Sequence, residues 1–252
     1  MTTKFRRCIL FLFFSFSCFT SIAQSETSAP RAPIPRKSAI KNLDFKAGVQ
    51  DHDIPLSNGE HWKVRISIPP HETGQQLPLV LALHWAGGHQ TYQEYSDCLA
   101  FPALDTLGAI IVAPSSEGRH WIDPDMETRT LQLLRLLKKY GPVDEQKIII
   151  TGYSNGGIAS WQYAQRNPGL FCASIPMAGF YKAAKIKTPV YAIHGQKDEL
   201  FGLPEIQQAL QQSKRKGTPI ELSVIEAYSH YMACAYVEAL RSAVLKVKAG
   251  WK

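Results

Sequence analysis

The chain has 252 residues, of which 45% are hydrophobic and 19% charged, with five cysteines and a formal net charge of +7. That length suits one large domain or two small ones, with apolar content ample for a core; it excludes a disordered chain, while five cysteines are too few for a small disulfide scaffold. The charge sits at the front: residues 1–23 carry +3 and residues 24–42 another +3, which leaves +1 for residues 43–252. A nearly neutral body lacks the field that phosphate binding requires, so nucleic acid is not an expected partner.

Lys4, Arg6 and Arg7 precede the apolar run Ile9 to Phe14, and Ser21-Ile22-Ala23 supplies small residues ahead of Gln24. This is the pattern of a secretory signal peptide over residues 1–23, which makes the mature protein exported, periplasmic or extracellular. The apolar stretch is broken by Ser15 and Ser17 and falls short of the roughly 20 residues a span needs, so no stable membrane span is expected after cleavage. Lipoprotein processing at Cys18 fits poorly, because Ser15 and Phe16 replace the aliphatic and small residues expected before it. Cys8 and Cys18 leave with the leader, and Cys98, Cys172 and Cys234 stay. Three cysteines in an oxidising compartment leave at least one unpaired. Cys98 with Cys234 is the pair to test, and Cys172, in an apolar run, reads as a buried thiol. No CxxC, paired Cys/His spacing or HExxH points to a metal.

Residues 24–42 hold Pro30, Pro33 and Pro35 among polar residues without hydrophobic periodicity, and read as a tether ahead of one domain over 43–252. Within that domain, Trp62, Val64, Ile66 and Ile68 alternate with polar residues after an Asn58-Gly59 turn, as in a hairpin. Continuous apolar runs follow at 79–83, 109–113, 148–150, 172–175 and 190–193, and Ile220 to Val224 is strand-like. Such runs suit strands buried on both faces of a parallel sheet. Helical patterns lie near 127–140, 158–166, 206–216 and 236–247. The alternation predicts an α/β domain with a mostly parallel central sheet and helices on both faces.

At the end of the run 148–150, Gly152-Tyr153-Ser154-Asn155-Gly156-Gly157 leads into a helix opened by Ile158. This is G-x-S-x-G in a strand–turn–helix setting, in which the serine is a nucleophile on a sharp turn and glycines let strand and helix close in. A serine hydroxyl needs a base, and the base an orienting acid. In this architecture the chain order is Ser, then Asp or Glu, then His. Asp198 is the sole aspartate after Ser154, and His230 is the sole histidine after Asp198. Ser154, Asp198 and His230 therefore form the expected triad, with Glu199 as the rival acid. Leu83-His84-Trp85-Ala86-Gly87-Gly88 follows an earlier strand, where a second oxyanion donor belongs. The expected donors are the backbone N–H groups of Ala86 and Asn155, with His84 bracing the turn. Trp85, His89 and Trp121, the last in the stretch Ser115 to Trp121, are candidate substrate-pocket residues.

Together, Leu83-His84 with Gly87-Gly88, Gly152 to Gly157, His194-Gly195 with Asp198, and His230 resemble the α/β-hydrolase superfamily. More narrowly, they resemble secreted carboxylesterases of the polyhydroxybutyrate-depolymerase-like and feruloyl-esterase-like groups, over about residues 61–250. The resemblance implies ester hydrolysis through an acyl-enzyme, without metal or organic cofactor. One departure is Trp85, which stands where the usual pattern has glycine; an indole there either narrows the acyl pocket or shifts the donor register. No long insertion follows Ile175 to form a lid, which favours a small or medium acyl ester, polysaccharide-linked material included, over an oil interface. Two other readings of the same residues are a serine peptidase resembling the prolyl oligopeptidase catalytic domain and a catalytically silent binding module.

Overall fold

In the computed structural model, which describes residues 32–251, every apolar run of the domain becomes a strand. The strands are β1 (Gly48–Pro55), β2 (His61–Ile68), β3 (Leu77–Leu83), β4 (Ile110–Pro114), β5 (Val143–Tyr153), β6 (Ala173–Met177), β7 (Val190–Lys197) and β8 (Ile220–Ser229). They form one eight-stranded sheet in the order β1-β2-β4-β3-β5-β6-β7-β8. β1 and β2 make the expected hairpin, β2 runs antiparallel to β4, and every pairing from β4 to β8 is parallel. The signal peptide expected over residues 1–23 lies outside the described residues.

The helices are α1 (Lys37–Lys41), α2 (Thr91–Tyr95), α3 (Phe101–Leu104), α4 (Pro124–Tyr140), α5 (Asn155–Arg166), α6 (Leu203–Arg215) and α7 (Val237–Ala249). Successive strand residues point to opposite faces, and both faces are covered, which is why the runs are apolar without alternation. Leu79, Leu81 and Leu83 of β3 pack on one side with Leu133, Leu134 and Leu137 of α4, Trp161 of α5 and Ile206 of α6. Val80 and Ala82 of the same strand pack on the other side with Tyr95, Leu99 and Leu104 and with Leu240 and Val244 of α7. Among the described residues, no helix is long and apolar enough to cross a membrane.

Two sequence expectations change. Residues 32–42 are not tether but part of the domain. Pro35 bridges Leu56, the Arg36 amide and Nε donate to the carbonyls of Pro55 and Leu56, and Arg129 Nε donates to Pro33 O at 3.2 Å. Ile40 of α1 is wholly buried in the core. Long-range contacts of single side chains order a segment whose composition has no period. The second change is a helical stretch between β3 and β4, where the sequence carries no clear helical period. It comprises α2, a π-helical turn at Ser96–Ala100, α3, and a 3-10 turn at Asp105–Leu107. Pro102 lies at the start of α3 and has no N–H to donate, so the ladder widens ahead of it.

The Cys98–Cys234 disulfide forms, with a Cα–Cα distance of 5.2 Å across a sequence separation of 136. It ties the π-helical turn to the 3-10 turn Ala233–Tyr236 that precedes α7. Cys172 is a free thiol, but half-buried rather than buried, because it precedes β6 instead of lying within it. Burial raises the pKa of that thiol.

Two stability measurements test this architecture. Replacing Cys98 and Cys234 together by serine frees a long loop in the unfolded chain and should cost about 2–5 kcal/mol in urea denaturation. Ile40→Ala should cost about 2–5 kcal/mol in the same assay if α1 belongs to the core, and almost nothing if residues 32–42 were a tether.

Candidate active site

The carboxyl end of β5 and the first turn of α5 meet at Ser154, whose φ of 53° and ψ of −114° are strained for a residue with a side chain. Neighbouring glycines make this turn possible. A Cβ on Gly156 would stand 1.9 Å from the Leu83 carbonyl oxygen, and one on Gly157 would stand 2.3 Å from that of Met177. The Ser154 amide donates to Met177 O at 2.9 Å, and the Ser154 carbonyl accepts the first helical bond from Ile158 at 2.9 Å. The hydroxyl is thereby raised above the sheet, beside the free amides at the start of α5.

The loop after β8 brings His230 to this hydroxyl. His230 Nε2 lies 2.9 Å from Ser154 Oγ, and His230 Nδ1 lies 2.8 Å from Asp198 Oδ2. Asp198, in the loop after β7, accepts on its other oxygen from the amides of Leu200 at 3.0 Å and Phe201 at 2.8 Å. Burial alone would raise the carboxyl pKa, but the bonds from His230 and Phe201 prevail and hold it below the usual carboxylate value. Asp198 is therefore an anion facing the His230 ring. Glu199 is not the partner of that ring: its Oε2 accepts from the His230 backbone amide at 2.8 Å and so anchors the loop. Tyr153 adds a second anchor by donating its hydroxyl to the His230 carbonyl at 2.8 Å.

His84 braces the turn after β3. The Ser116 amide donates to His84 Nε2 at 2.9 Å, which leaves the ring proton on Nδ1, donated to the Trp85 carbonyl. Burial lowers the His84 pKa to about 4, so the ring is neutral near pH 7. Trp121 Nε1 donates to the His84 carbonyl at 2.9 Å, which joins the stretch 115–121 to the same turn. Asn155, at the start of α5, is buried, and its side chain meets His120 and the Arg119 carbonyl at 3.4 and 3.5 Å.

A cavity of about 400 Å³ opens over Ser154, lined by Trp85, Ala86, Tyr153, Leu200, His230, Tyr231, Ala233 and Cys234. Trp85 and Ala86 thus lie where the sequence reading expects them. The Trp85 indole packs edge-to-face on Tyr95 and Tyr153, with ring centroids 5.6 and 6.2 Å away, and forms a wall of the cavity. Two pocket expectations are corrected. Trp121 is wholly buried in the core, because its indole turns inward to satisfy the His84 carbonyl. His89 is exposed in the loop ahead of α2 and does not line the cavity. Tyr153, Leu200 and Tyr231 went unrecognised in the sequence, although each lies within two positions of Ser154, Asp198 or His230. Among the described residues, no three His, Cys, Asp or Glu side chains are grouped as a metal site.

The close approach at the elbow gives a direct test. Gly156→Ala should strain the contact with Leu83 and lower the melting temperature by several degrees or more, as about 2 kcal/mol of overpacking would. A variant as stable as the wild type by calorimetry would show that this contact yields freely.

The model of the dienelactone hydrolase family matches residues 118–246, from the loop after β4 through most of α7. A 99-residue stretch is 27% identical to Protein usf of Aquifex pyrophilus, and the match covers 37% of this chain and 43% of that protein, under half its length. In fold, the chain is similar to an S-formylglutathione hydrolase of Staphylococcus aureus, with a TM-score of 0.66 and 12% identity over 80% of this chain and 98% of that one. A ferulic acid esterase gives a TM-score of 0.66 at 19% identity, covering 81% of this chain and 99% of that one. Est1E of Butyrivibrio proteoclasticus gives 0.61 at 16% identity, covering 81% of this chain and all of that one, 100%. The α/β-hydrolase fold expected from the sequence is borne out, and the chain belongs to the dienelactone hydrolase family.

Proposed function

We propose that this protein is an exported serine carboxylesterase that works through an acyl-enzyme. The observation that carries the reading is the unbroken hydrogen-bonded line from Ser154 Oγ through both nitrogens of His230 to Asp198, at the floor of a cavity. Ser154 Oγ attacks the ester carbonyl carbon while His230 Nε2 takes its proton. Asp198 keeps the imidazole in the tautomer with Nδ1 protonated and offsets the positive charge that develops. The tetrahedral oxyanion is held by the backbone N–H groups of Ala86 and Asn155, each donor being worth about 3 kcal/mol to the transition state. Collapse breaks the bond to the alcohol oxygen, which receives the proton from His230 and departs. Water then enters, gives a proton to His230 and attacks the acyl carbon. The acid leaves, and the proton returns to Ser154.

The cavity of about 400 Å³ suits a small or medium acyl ester. Mostly apolar walls, with Trp85, Tyr153, Leu200 and Tyr231 among them, favour an apolar acyl or alcohol group. An ester carried on polysaccharide is compatible with this mouth, since Tyr231 is 73% exposed at its edge. Export is supported by the basic and apolar start of the chain, and now also by the Cys98–Cys234 disulfide, which persists in an oxidising compartment.

Purified mature protein should hydrolyse acyl esters in a series from acetyl to octanoyl and react with a fluorophosphonate probe. Ser154→Ala should lose the label and lower kcat by at least about 1,000-fold, and Asp198→Asn should lower it by about 100- to 10,000-fold. Labelling of the Ser154→Ala variant equal to wild type would sink the nucleophile assignment, and preference for a peptide amide over every ester would overturn the reaction class. Mass spectrometry of the exported protein should give a chain beginning at Gln24; a retained leader would overturn export.

A further inference from the structure

His194 is the second histidine near the triad, and the mechanism above leaves it without a task. It sits on β7, wholly buried, four residues ahead of Asp198. Its Nε2 lies 2.7 Å from the Phe201 carbonyl and 3.6 Å from Asp198 Oδ2. A carbonyl oxygen only accepts, so Nε2 carries the ring proton and donates it there. Nδ1 is buried without a hydrogen-bond partner among the described residues. Burial lowers the His194 pKa, which keeps the ring neutral beside the acid.

Phe201 is what gives this bond leverage. Its amide donates to Asp198 Oδ1 at 2.8 Å, its ring stands edge-on to the His230 ring at 5.3 Å, and its carbonyl is the atom His194 holds. One residue thus touches the acid and the base, and one buried imidazole fixes that residue from behind. An apolar side chain at position 194 would leave the half-buried Phe201 carbonyl without this partner and favour turning the 198–201 loop outward toward water.

We propose that His194 is a positioning residue: its Nε2–H, clamped on the Phe201 carbonyl, locks the turn that holds Asp198 in register with His230. The proposal rests on the serine esterase reading and adds a second buried histidine to it. A neutral ring meets a requirement that a cation would not. A charged His194 would draw the Asp198 carboxylate toward itself and away from His230.

The test uses two polar replacements of different reach. The amide nitrogen of His194→Gln reaches the position of Nε2, whereas that of His194→Asn stops near the position of Nδ1. Ester turnover is measured per active site, with sites counted by complete fluorophosphonate labelling, so that any unfolded fraction drops out. His194→Asn should lose about 10- to 100-fold in kcat with little change in KM, the scale expected for a catalytic group that is present but misaligned. His194→Gln should recover most of that loss. The downfield proton resonance of the His230 Nδ1–H should persist in His194→Gln and shift or broaden in His194→Asn. Equal kcat per labelled site in the two variants, whether at the wild-type level or equally reduced, would overturn the clamp. Failure of the wild type to label would instead overturn the esterase reading, so the two failures are distinguishable.

Discussion

The site depends on one close approach: the backbone of α5 at Gly156 lies against the Leu83 carbonyl at the end of β3, with no room for a Cβ between them. This contact forces the chain to turn sharply at Ser154, and the strained backbone there is the local cost. In return, the serine side chain is lifted off the sheet and the first free amides of α5 face the same space. The approach also sets the turn after β3 against Ser154, so that Ala86 and Ser154 share one cavity. His84 then stitches that turn in place, bonded on one nitrogen to the Trp85 carbonyl and on the other to the Ser116 amide. Trp121 closes the arrangement from below.

Asp198 and His230 come from loops after neighbouring parallel strands, and loops are mobile unless something holds them. Here the loop carrying His230 is held at its amide by Glu199, at its carbonyl by Tyr153, and just beyond by the Cys98–Cys234 disulfide. The Asp198 loop is held by its own amides folding back on the carboxylate and by the His194 bond to Phe201. Each of these contacts fixes a side chain of the proposed triad before substrate arrives. That matters because electrostatic stabilisation acts without loss only where donors and charges need not reorganise during reaction.

Much of the fold was legible because its signals are local. The inner strands of a doubly covered sheet bury both faces, so apolar runs such as Leu79 to Leu83 stand out without any knowledge of their neighbours. The elbow was legible for a related reason: glycines at 152, 156 and 157 are a local record of a tight approach. The triad partners could be reached by elimination, because after Ser154 one aspartate and then one histidine met the required order. The helical stretch from α2 through Leu107 is not legible because Pro102 reads as a helix breaker, although the chain stays helical through it. The place of residues 32–42 in the domain is not legible because Ile40, Arg36 and Pro35 act singly, with no period to mark them.

The sequence by itself determined the layers of the sheet, the turn at Ser154 and which aspartate and histidine meet that serine, since each follows from residue type and order along the chain. Tertiary structure alone decided which side chains face the cavity. Trp85 lines it, Trp121 in a similar polar loop is wholly buried, and His89 is exposed. Nothing in their local sequence separates the three. The direction a loop side chain takes is set by the partner that satisfies its polar atom or covers its ring, and those partners lie tens of residues away. The Trp121 indole finds the His84 carbonyl, 37 positions away in the chain, only after β3 and β4 have paired.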